Sequence, residues 1–125
     1  MLQRHFWQTP KAGNIERLAL HTADPGPLSA GQVRVAVQAV GLNFADIFAL
    51  TGLYSATPEG AFIPGLEFAG VVVETGDRSS GYQPGDRVMG VTRFGGYSTV
   101  IDSDPARLWP LPSDWDFAQG AASPA

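Results

Sequence analysis

Four polar side chains in the middle of this sequence could take part in acid–base or hydrogen-bonding chemistry: Asn43, Asp46, Tyr54 and Glu67. An asparagine amide can donate and accept hydrogen bonds at once, and a tyrosine phenol with an ordinary pKa of about 10 is protonated at neutral pH. Asn43 stands three residues before Asp46, a spacing typical of a helix capping box, so both side chains also have a structural interpretation. For Glu67 we favour a structural hydrogen bond over a general base.

The sequence contains no cysteine and two histidines, and both facts narrow the chemistry. Without cysteine there can be no disulfide, thiolate metal ligand or cysteine nucleophile. His5 and His21 lack partners at catalytic spacing, so we interpret them as surface or rim residues. No glycine fingerprint opens a βαβ unit in the 125 residues, which leaves this sequence without a dinucleotide-binding motif.

Composition and charge indicate the class of protein. A chain of 125 residues, 44% hydrophobic and 16% charged, predicts one globular domain. The formal net charge is −4 and Lys11 is the one lysine, which argues against nucleic acid and anionic membranes as partners. No apolar run approaches the roughly 20 residues of a membrane span, and residues 1–9 lack the apolar core of a leader peptide. We therefore expect a cytoplasmic protein.

Glycine and proline interrupt the sequence often and predict short strands joined by turns. Apolar alternation and β-branched residues favour strands at residues 2–8, 15–20, 33–40, 68–73, 87–91 and 97–101. Helices are predicted at residues 44–50, closed by Gly52, and from a capping box at residues 113–116 to Ala122. The pattern indicates a mainly β (α+β) fold with a small antiparallel barrel.

Four sequence segments occur in an order and spacing that resemble one protein family. They are Gly41-Leu42-Asn43-Phe44-Ala45-Asp46, Gly52-Leu53-Tyr54, Pro64-Gly65-Leu66-Glu67-Phe68-Ala69-Gly70 and Pro84-Gly85-Asp86-Arg87-Val88. The chain resembles the catalytic domain of the medium-chain dehydrogenase/reductase superfamily, in its zinc-free quinone-oxidoreductase branch. The resemblance implies a GroES-like, partly open β-barrel over residues 1–125, with one short internal helix and a C-terminal helix.

The resemblance also implies an activity and a set of site residues. The implied enzyme is a NADPH-dependent, zinc-independent reductase of quinones or of enoyl and enone compounds, with an apolar substrate that carries a conjugated carbonyl group. Asn43 and Tyr54 would be catalytic, with Tyr54 as the proton donor, and Asn43 and Phe44 would contact the cofactor. Four aromatic side chains would line the substrate pocket: Phe48, Tyr54, Phe94 and Tyr97. Phe48, Phe94 and Tyr97 could equally be core residues, and Tyr54 could instead be an aromatic residue at the barrel rim with its hydroxyl hydrogen-bonded.

Zinc-dependent members of the family place a cysteine where Asn43 stands and a histidine where Leu66 stands. Neither an amide nor a leucine side chain holds zinc tightly, so the resemblance implies no metal site. Asp46 and Glu67 would then be structural. The same holds for three glycines that permit tight turns and close strand contacts, Gly65, Gly70 and Gly76.

Members of the family carry a Rossmann domain, which is missing from this sequence, so we expect a truncated chain that supplies one wall of an interdomain cleft and is inactive alone. Two other functions stay open: a non-enzymatic GroES-like interaction module or remnant, and a half that borrows a nucleotide-binding domain from another chain. We expect the apolar C-terminal segment either to self-associate or to pack its helix onto the barrel. This segment contains Trp109, Leu111, Trp115 and Phe117.

Overall fold

The computed structural model describes residues 2–52, 58–76 and 80–123, which form seven strands and two α-helices. In chain order these are β1 (Arg4–Gln8), β2 (Ala19–Ala23), β3 (Val33–Val40), α1 (Phe44–Thr51), β4 (Glu67–Thr75), β5 (Arg87–Val91), β6 (Val100–Ser103), β7 (Leu108–Pro110) and α2 (Phe117–Ala121). Neither helix of this described part is long and apolar enough to cross a membrane.

The strands of the described residues form two antiparallel sheets. β1 and β2 make a ribbon in which Arg4 is opposite Ala23 and Gln8 is opposite Ala19. The larger sheet has the order β6-β3-β4-β5-β7, with β4 at its centre and β6 and β7 at its edges. Because the sheet does not close on itself, the predicted mainly β, partly open architecture is confirmed.

The main core forms around β4, whose residues are apolar on both faces over most of its length. Phe68 and Ala69 are 0% exposed and Val72 is 1% exposed, as expected for a central strand. Seven side chains make up this core: Val33, Val35, Phe68, Val72, Val88, Ile101 and Leu108. A second, smaller core holds α1 in place and consists of Ala49, Leu50 and Phe62, with Ala12, Leu18 and Phe94 packed against it.

Alternation along β3 predicts an exposed Arg34, but this side chain is buried. Its guanidinium donates to both carboxylate oxygens of Asp102 on β6, at 2.8 and 3.0 Å. Asp102 lies directly opposite Arg34 in the pairing of β3 with β6, and the Pro25 carbonyl oxygen accepts a third hydrogen bond from Arg34 at 3.4 Å. The hydrogen bonds to Asp102 raise the pKa of Arg34, so the buried cation stays charged.

Two predicted strands begin later than the sequence pattern indicates. Residues 15–17 form a 3-10 helix, because the Asn14 side chain accepts a hydrogen bond from the Glu16 N–H and turns the chain. β2 therefore begins at Ala19. The strand predicted at residues 97–101 begins at Val100, since the Tyr97 N–H donates to the Pro64 oxygen before β4 while the Tyr97 oxygen accepts from the Trp7 N–H on β1.

The C-terminal helix is also shorter than predicted. Its N-cap is Asp116, whose carboxylate accepts a hydrogen bond from the Gln119 N–H at 2.7 Å, so the capping box predicted at residues 113–116 is wrong. α2 packs onto β3, β4 and β5, which is one of the two outcomes expected for the C-terminal segment. Self-association through that segment stays a prediction.

β7 was not predicted because it has three residues and ends in Pro110, which an edge strand tolerates.

Candidate functional site

The site is built around the first turn of α1. Asn43 has an extended backbone and is the N-cap, and Asp46 is the third helical residue. The Asp46 carboxylate accepts a hydrogen bond from the Asn43 backbone N–H at 3.0 Å. The Asn43 side chain faces the Asp46 N–H and so completes the predicted capping box, without a well-formed hydrogen bond of its own. At its other end, α1 stops at Gly52, whose φ of 83° suits glycine.

Glu67 holds the Asn43 side chain from the side of the sheet. Glu67 is the first residue of β4 and is 4% exposed. Asn43 Nδ2 donates to Glu67 Oε1 at 3.2 Å. The Glu67 side chain lies over the backbone of Gly41, where a Cβ atom would collide with it. The end of β3, the start of α1 and the start of β4 therefore meet at this amide–carboxylate contact.

Tyr97 joins the cluster from the segment before β6. Its hydroxyl donates to Asp46 Oδ2 at 2.8 Å, and Asp46 is 3% exposed. Burial, followed by the hydrogen bond and the negative charge of Asp46, raises the pKa of Tyr97. The phenol therefore remains protonated and continues to donate to Asp46 well above neutral pH.

Two glycines in contact place Tyr97 beside α1. A Cβ on Gly96 would lie 2.7 Å from the carbonyl carbon of Gly65, so the two backbones cross at a distance that excludes side chains. Gly96 N–H donates to the Gly65 oxygen at 3.1 Å, and Tyr97 N–H donates to the Pro64 oxygen at 2.9 Å. Gly65 also has a left-handed φ of 111°, which favours glycine.

Gly70 lies in β4 and Gly76 directly follows that strand, and neither belongs to the polar cluster. A Cβ on Gly70 would collide with the carbonyl oxygen of Ala36 on β3, and one on Gly76 would collide with that of Ser29. Both glycines thus allow close backbone contact between neighbouring segments. They position the site only through the packing of β3 against β4.

The aromatic residues predicted to line a substrate pocket lie in different environments. Phe48 is 47% exposed on α1, and Tyr97 is hydrogen-bonded to Asp46. Phe94 packs edge to face against Phe62 in the smaller core, with ring centroids 5.5 Å apart. Tyr54 lies outside the described residues. The structure therefore brings Tyr97 to the polar cluster and places Phe94 in a core.

An exposed apolar surface borders the polar cluster. Leu42 and Phe44, on either side of Asn43 in the chain, are 78% and 80% exposed. Ile47 and Phe48 continue this surface along α1 and are each 47% exposed. Neighbouring exposed apolar side chains of this size are typical of a binding surface. We call these four residues the α1 surface.

An open cleft of about 490 Å³ lies between the β1–β2 ribbon and β3. Its walls are mostly apolar and include Trp7, Leu18, Leu20, Val37, Leu42 and Tyr97. Leu42 belongs to the α1 surface and Tyr97 to the polar cluster, so the cleft adjoins both. An apolar molecule seated there would lie beside hydrogen-bonding groups, an arrangement typical of small-molecule sites.

The acidic residues of the cluster are engaged with protein donors. In residues 2–52, 58–76 and 80–123, no group of three or more histidine, cysteine, aspartate or glutamate side chains is arranged to hold a metal ion. Asp46 accepts from the Asn43 N–H and the Tyr97 hydroxyl, and Glu67 accepts from the Asn43 amide. The arrangement orients an amide and a phenol at the start of α1, which is the chemistry of a hydrogen-bonding site.

Sequence reasoning missed part of this geometry. It identified Tyr97 as an apolar wall and not as a hydrogen-bond donor, and it assigned no role to Gly41 or Gly96. A usable signal was present, since each of these glycines comes shortly before a polar residue of the cluster. Glycine in such a position often marks a close approach of two chain segments.

We expect the Tyr97 phenol to resist ionisation at a pH of about 10, where an ordinary tyrosine titrates. Because its pKa is raised in the folded chain, its contribution to the free energy of unfolding is constant below a pH of about 10 and is lost as the pH rises further. Phenolate absorbance of the wild type minus that of Tyr97→Phe measures this. A phenolate signal from Tyr97 at a pH of about 10, with the fold intact, would contradict the contact with Asp46.

Comparison with known proteins shows which family the chain is similar to. Residues 29–113 match the alcohol dehydrogenase GroES-like domain family. Among curated relatives, the pikromycin polyketide synthase component PikAII of Streptomyces venezuelae is 43% identical over 116 residues, which cover 93% of this chain and 3% of that protein.

Solved structures of two oxidoreductases contain a domain with the same fold as this chain. The Escherichia coli quinone oxidoreductase complexed with NADPH is 30% identical with a TM-score of 0.85, covering 98% of this chain and 37% of that one. The CurK enoyl reductase is 26% identical with a TM-score of 0.83, covering 94% of this chain and 38% of that one. The chain thus spans well under half the length of the proteins that it matches.

Proposed function

Because the chain belongs to the alcohol dehydrogenase GroES-like domain family, within the medium-chain dehydrogenase/reductase superfamily, we propose that it is the substrate-side catalytic domain of a cytoplasmic oxidoreductase. The enzyme reduces quinones or conjugated enoyl and enone compounds with NADPH and without zinc. The observation that carries this proposal is the polar cluster of Asn43, Asp46, Glu67 and Tyr97, with its two carboxylates buried, beside the exposed α1 surface. Similarity to a quinone oxidoreductase and an enoyl reductase supports the substrate class.

Zinc independence rests on the residues at the positions where zinc-dependent relatives bind the metal. Leu66 has no ligand atom, and the Asn43 amide is already held by Glu67. The sequence has no cysteine to supply a thiolate. Hydrogen-bond donors of the protein must then assist the substrate carbonyl group, which suits a conjugated substrate that already withdraws electrons.

Asn43 and Phe44 are the residues of this chain that would contact the cofactor. Their chemistry fits a nicotinamide ring with its carboxamide, since a polar amide and an exposed flat apolar ring stand next to each other. When bound, NADPH supplies a hydride. The rest of the cofactor is bound by a nucleotide-binding domain outside this sequence, because these 125 residues hold no glycine fingerprint for a pyrophosphate.

Two tyrosines have different roles in the proposed mechanism. Tyr54 holds the proton that the reduced substrate takes up, since an ordinary phenol is protonated at neutral pH. Tyr97 keeps its proton on the hydrogen bond to Asp46 and so holds the start of α1 in place. Phe48, with Leu42, provides apolar contact to the substrate and excludes water, while Phe94 supports α1 from the smaller core.

We expect Tyr54→Phe to lower turnover roughly 10²-fold if Tyr54 is the proton donor, because general acid catalysis contributes about that much. The measurement is steady-state reduction of a quinone and of an enone by the protein joined to its nucleotide-binding domain. Tyr82→Phe is the matched control, since the Tyr82 hydroxyl donates to the Leu108 oxygen in the sheet. Equal activity of wild type and Tyr54→Phe would exclude Tyr54 as the acid.

A further inference from the structure

The contact between Asn43 and Glu67 fixes the orientation of the Asn43 amide. A carboxylate accepts hydrogen bonds and donates none, so the amide end that faces Glu67 Oε1 at 3.2 Å is the nitrogen. The amide oxygen then faces the Asp46 N–H at the start of α1. We propose that Glu67 is a positioning residue, which holds Asn43 so that it meets a ligand as a hydrogen-bond donor and not as an acceptor.

The number of hydrogen-bond donors and acceptors on the Asn43 amide decides that it donates to a ligand. A side-chain amide has two N–H hydrogens and one oxygen. Glu67 takes one hydrogen, and the oxygen is turned toward the helix; within the described residues the second hydrogen has no acceptor, so it is what Asn43 can offer a ligand. The matching ligand group is a carbonyl oxygen, as in a conjugated ketone or a carboxamide. This inference rests on the proposed function and deepens it, because it assigns a donor that acts where zinc-dependent relatives use the metal.

The surrounding contacts make the orientation rigid. The Asn43 backbone N–H donates to the Asp46 carboxylate at 3.0 Å, and this carboxylate also accepts a hydrogen bond from the Tyr97 hydroxyl. Glu67 is 4% exposed and lies over Gly41, where no side chain limits its approach. Asn43 is therefore fixed through its backbone and through its side chain by two different buried carboxylates.

Nuclear magnetic resonance of the 125-residue chain tests the orientation directly. In the wild type we expect nuclear Overhauser contacts between the Asn43 side-chain N–H hydrogens and Glu67 on β4. In Glu67→Gln, which keeps the size but adds a donor, we expect the bonded Asn43 hydrogen to exchange with solvent about tenfold faster. The Asn43 backbone N–H, bonded to Asp46, should stay unchanged and reports an intact fold. Glu74→Gln on the same strand, at an exposed carboxylate, is the matched control.

Two outcomes of that measurement would overturn the positioning role. One is contact of the Asn43 side-chain hydrogens with the Asp46 N–H in the wild type, which would mean that the amide is reversed. The other is equal exchange of the Asn43 side chain in wild type and Glu67→Gln. The wild-type contacts decide the question even if Glu67→Gln does not fold.

Small probes test the donor assignment. Cyclohex-2-enone, a carbonyl acceptor, should shift the Asn43 side-chain signals of the wild type, and by at least threefold less in Glu67→Gln. Cyclohex-2-enol, which presents a hydroxyl donor, should shift them less than the enone. A larger shift with the enol, or none with the enone, overturns the donor role. If instead the enone result holds while the chain joined to its nucleotide-binding domain neither changes NADPH fluorescence nor reduces quinones or enones, the proposed function fails and the inference stands.

Discussion

Replacing Phe68 with alanine is expected to lower the free energy of unfolding by about 4 kcal/mol. Phe68 is 0% exposed at the centre of the main core, and the end of its ring packs against Gly90, where a Cβ would lie 2.6 Å from Cζ. The truncation leaves a cavity, because β4 is hydrogen-bonded to a strand on each side and cannot move in to fill it. Urea unfolding followed by tryptophan fluorescence measures the loss as a lower midpoint.

Phe44→Ala is the matched control for this prediction. It removes the same side chain from a position that is 80% exposed, so the expected change is about 0.5 kcal/mol or less. Similar losses for the two variants, or a loss below about 1 kcal/mol for Phe68→Ala, would show that the main core is not centred on β4.

Gly96→Ala is expected to destabilise the chain by about 3 kcal/mol and to disturb the polar cluster. The new methyl group would lie 2.7 Å from the Gly65 carbonyl carbon and 2.9 Å from its Cα, and both are backbone atoms that cannot rotate away. The two segments must separate, which moves Tyr97 from Asp46. We therefore expect the pKa of Tyr97 to fall toward its ordinary value together with the loss of stability, as measured by urea unfolding and by phenolate absorbance.

Gly60→Ala is the control for an added methyl group in an open position. Among the residues that the structure describes, no atom beyond its chain neighbours lies within 4 Å of a Cβ at Gly60, so the effect should stay within about 0.5 kcal/mol. If Gly96→Ala were as stable as Gly60→Ala and kept the titration of Tyr97 unchanged, the crossing of Gly96 and Gly65 would not be what holds the phenol against Asp46.

Features of the fold that depend on local interactions could be predicted from the sequence. The spacing of Asn43 and Asp46 indicated where α1 begins, and Gly52 indicated where it ends. The strands predicted at residues 33–40 and 87–91 coincide with β3 and β5, because their apolar pattern and turn residues are both strong. The error at residues 15–17 has the same origin, since one hydrogen bond to Asn14 outweighs a weak strand pattern.

The contacts that make the site were beyond local reasoning. Tyr97 and Asp46 are 51 residues apart in the chain, and Asn43 and Glu67 are 24 apart. The two pairings depend on how the segment before β4 crosses the segment before β6, at Gly65 and Gly96, and on the order of strands in the sheet. The burial of Arg34 has the same cause, because only the pairing of β3 with β6 brings Asp102 to it.

The helix α1 is anchored at both ends, and this affects the binding free energy of a molecule that binds to its exposed side. Its first turn is tied to β4 and to the segment before β6, and the Leu50 carbonyl near its last turn accepts a hydrogen bond from the Gly13 N–H at 2.9 Å. The apolar side chains that α1 exposes to solvent therefore lie on a helix that is already ordered before a ligand binds. A molecule that covers them loses little affinity to the ordering of this helix, so its residence time is governed by the contacts themselves.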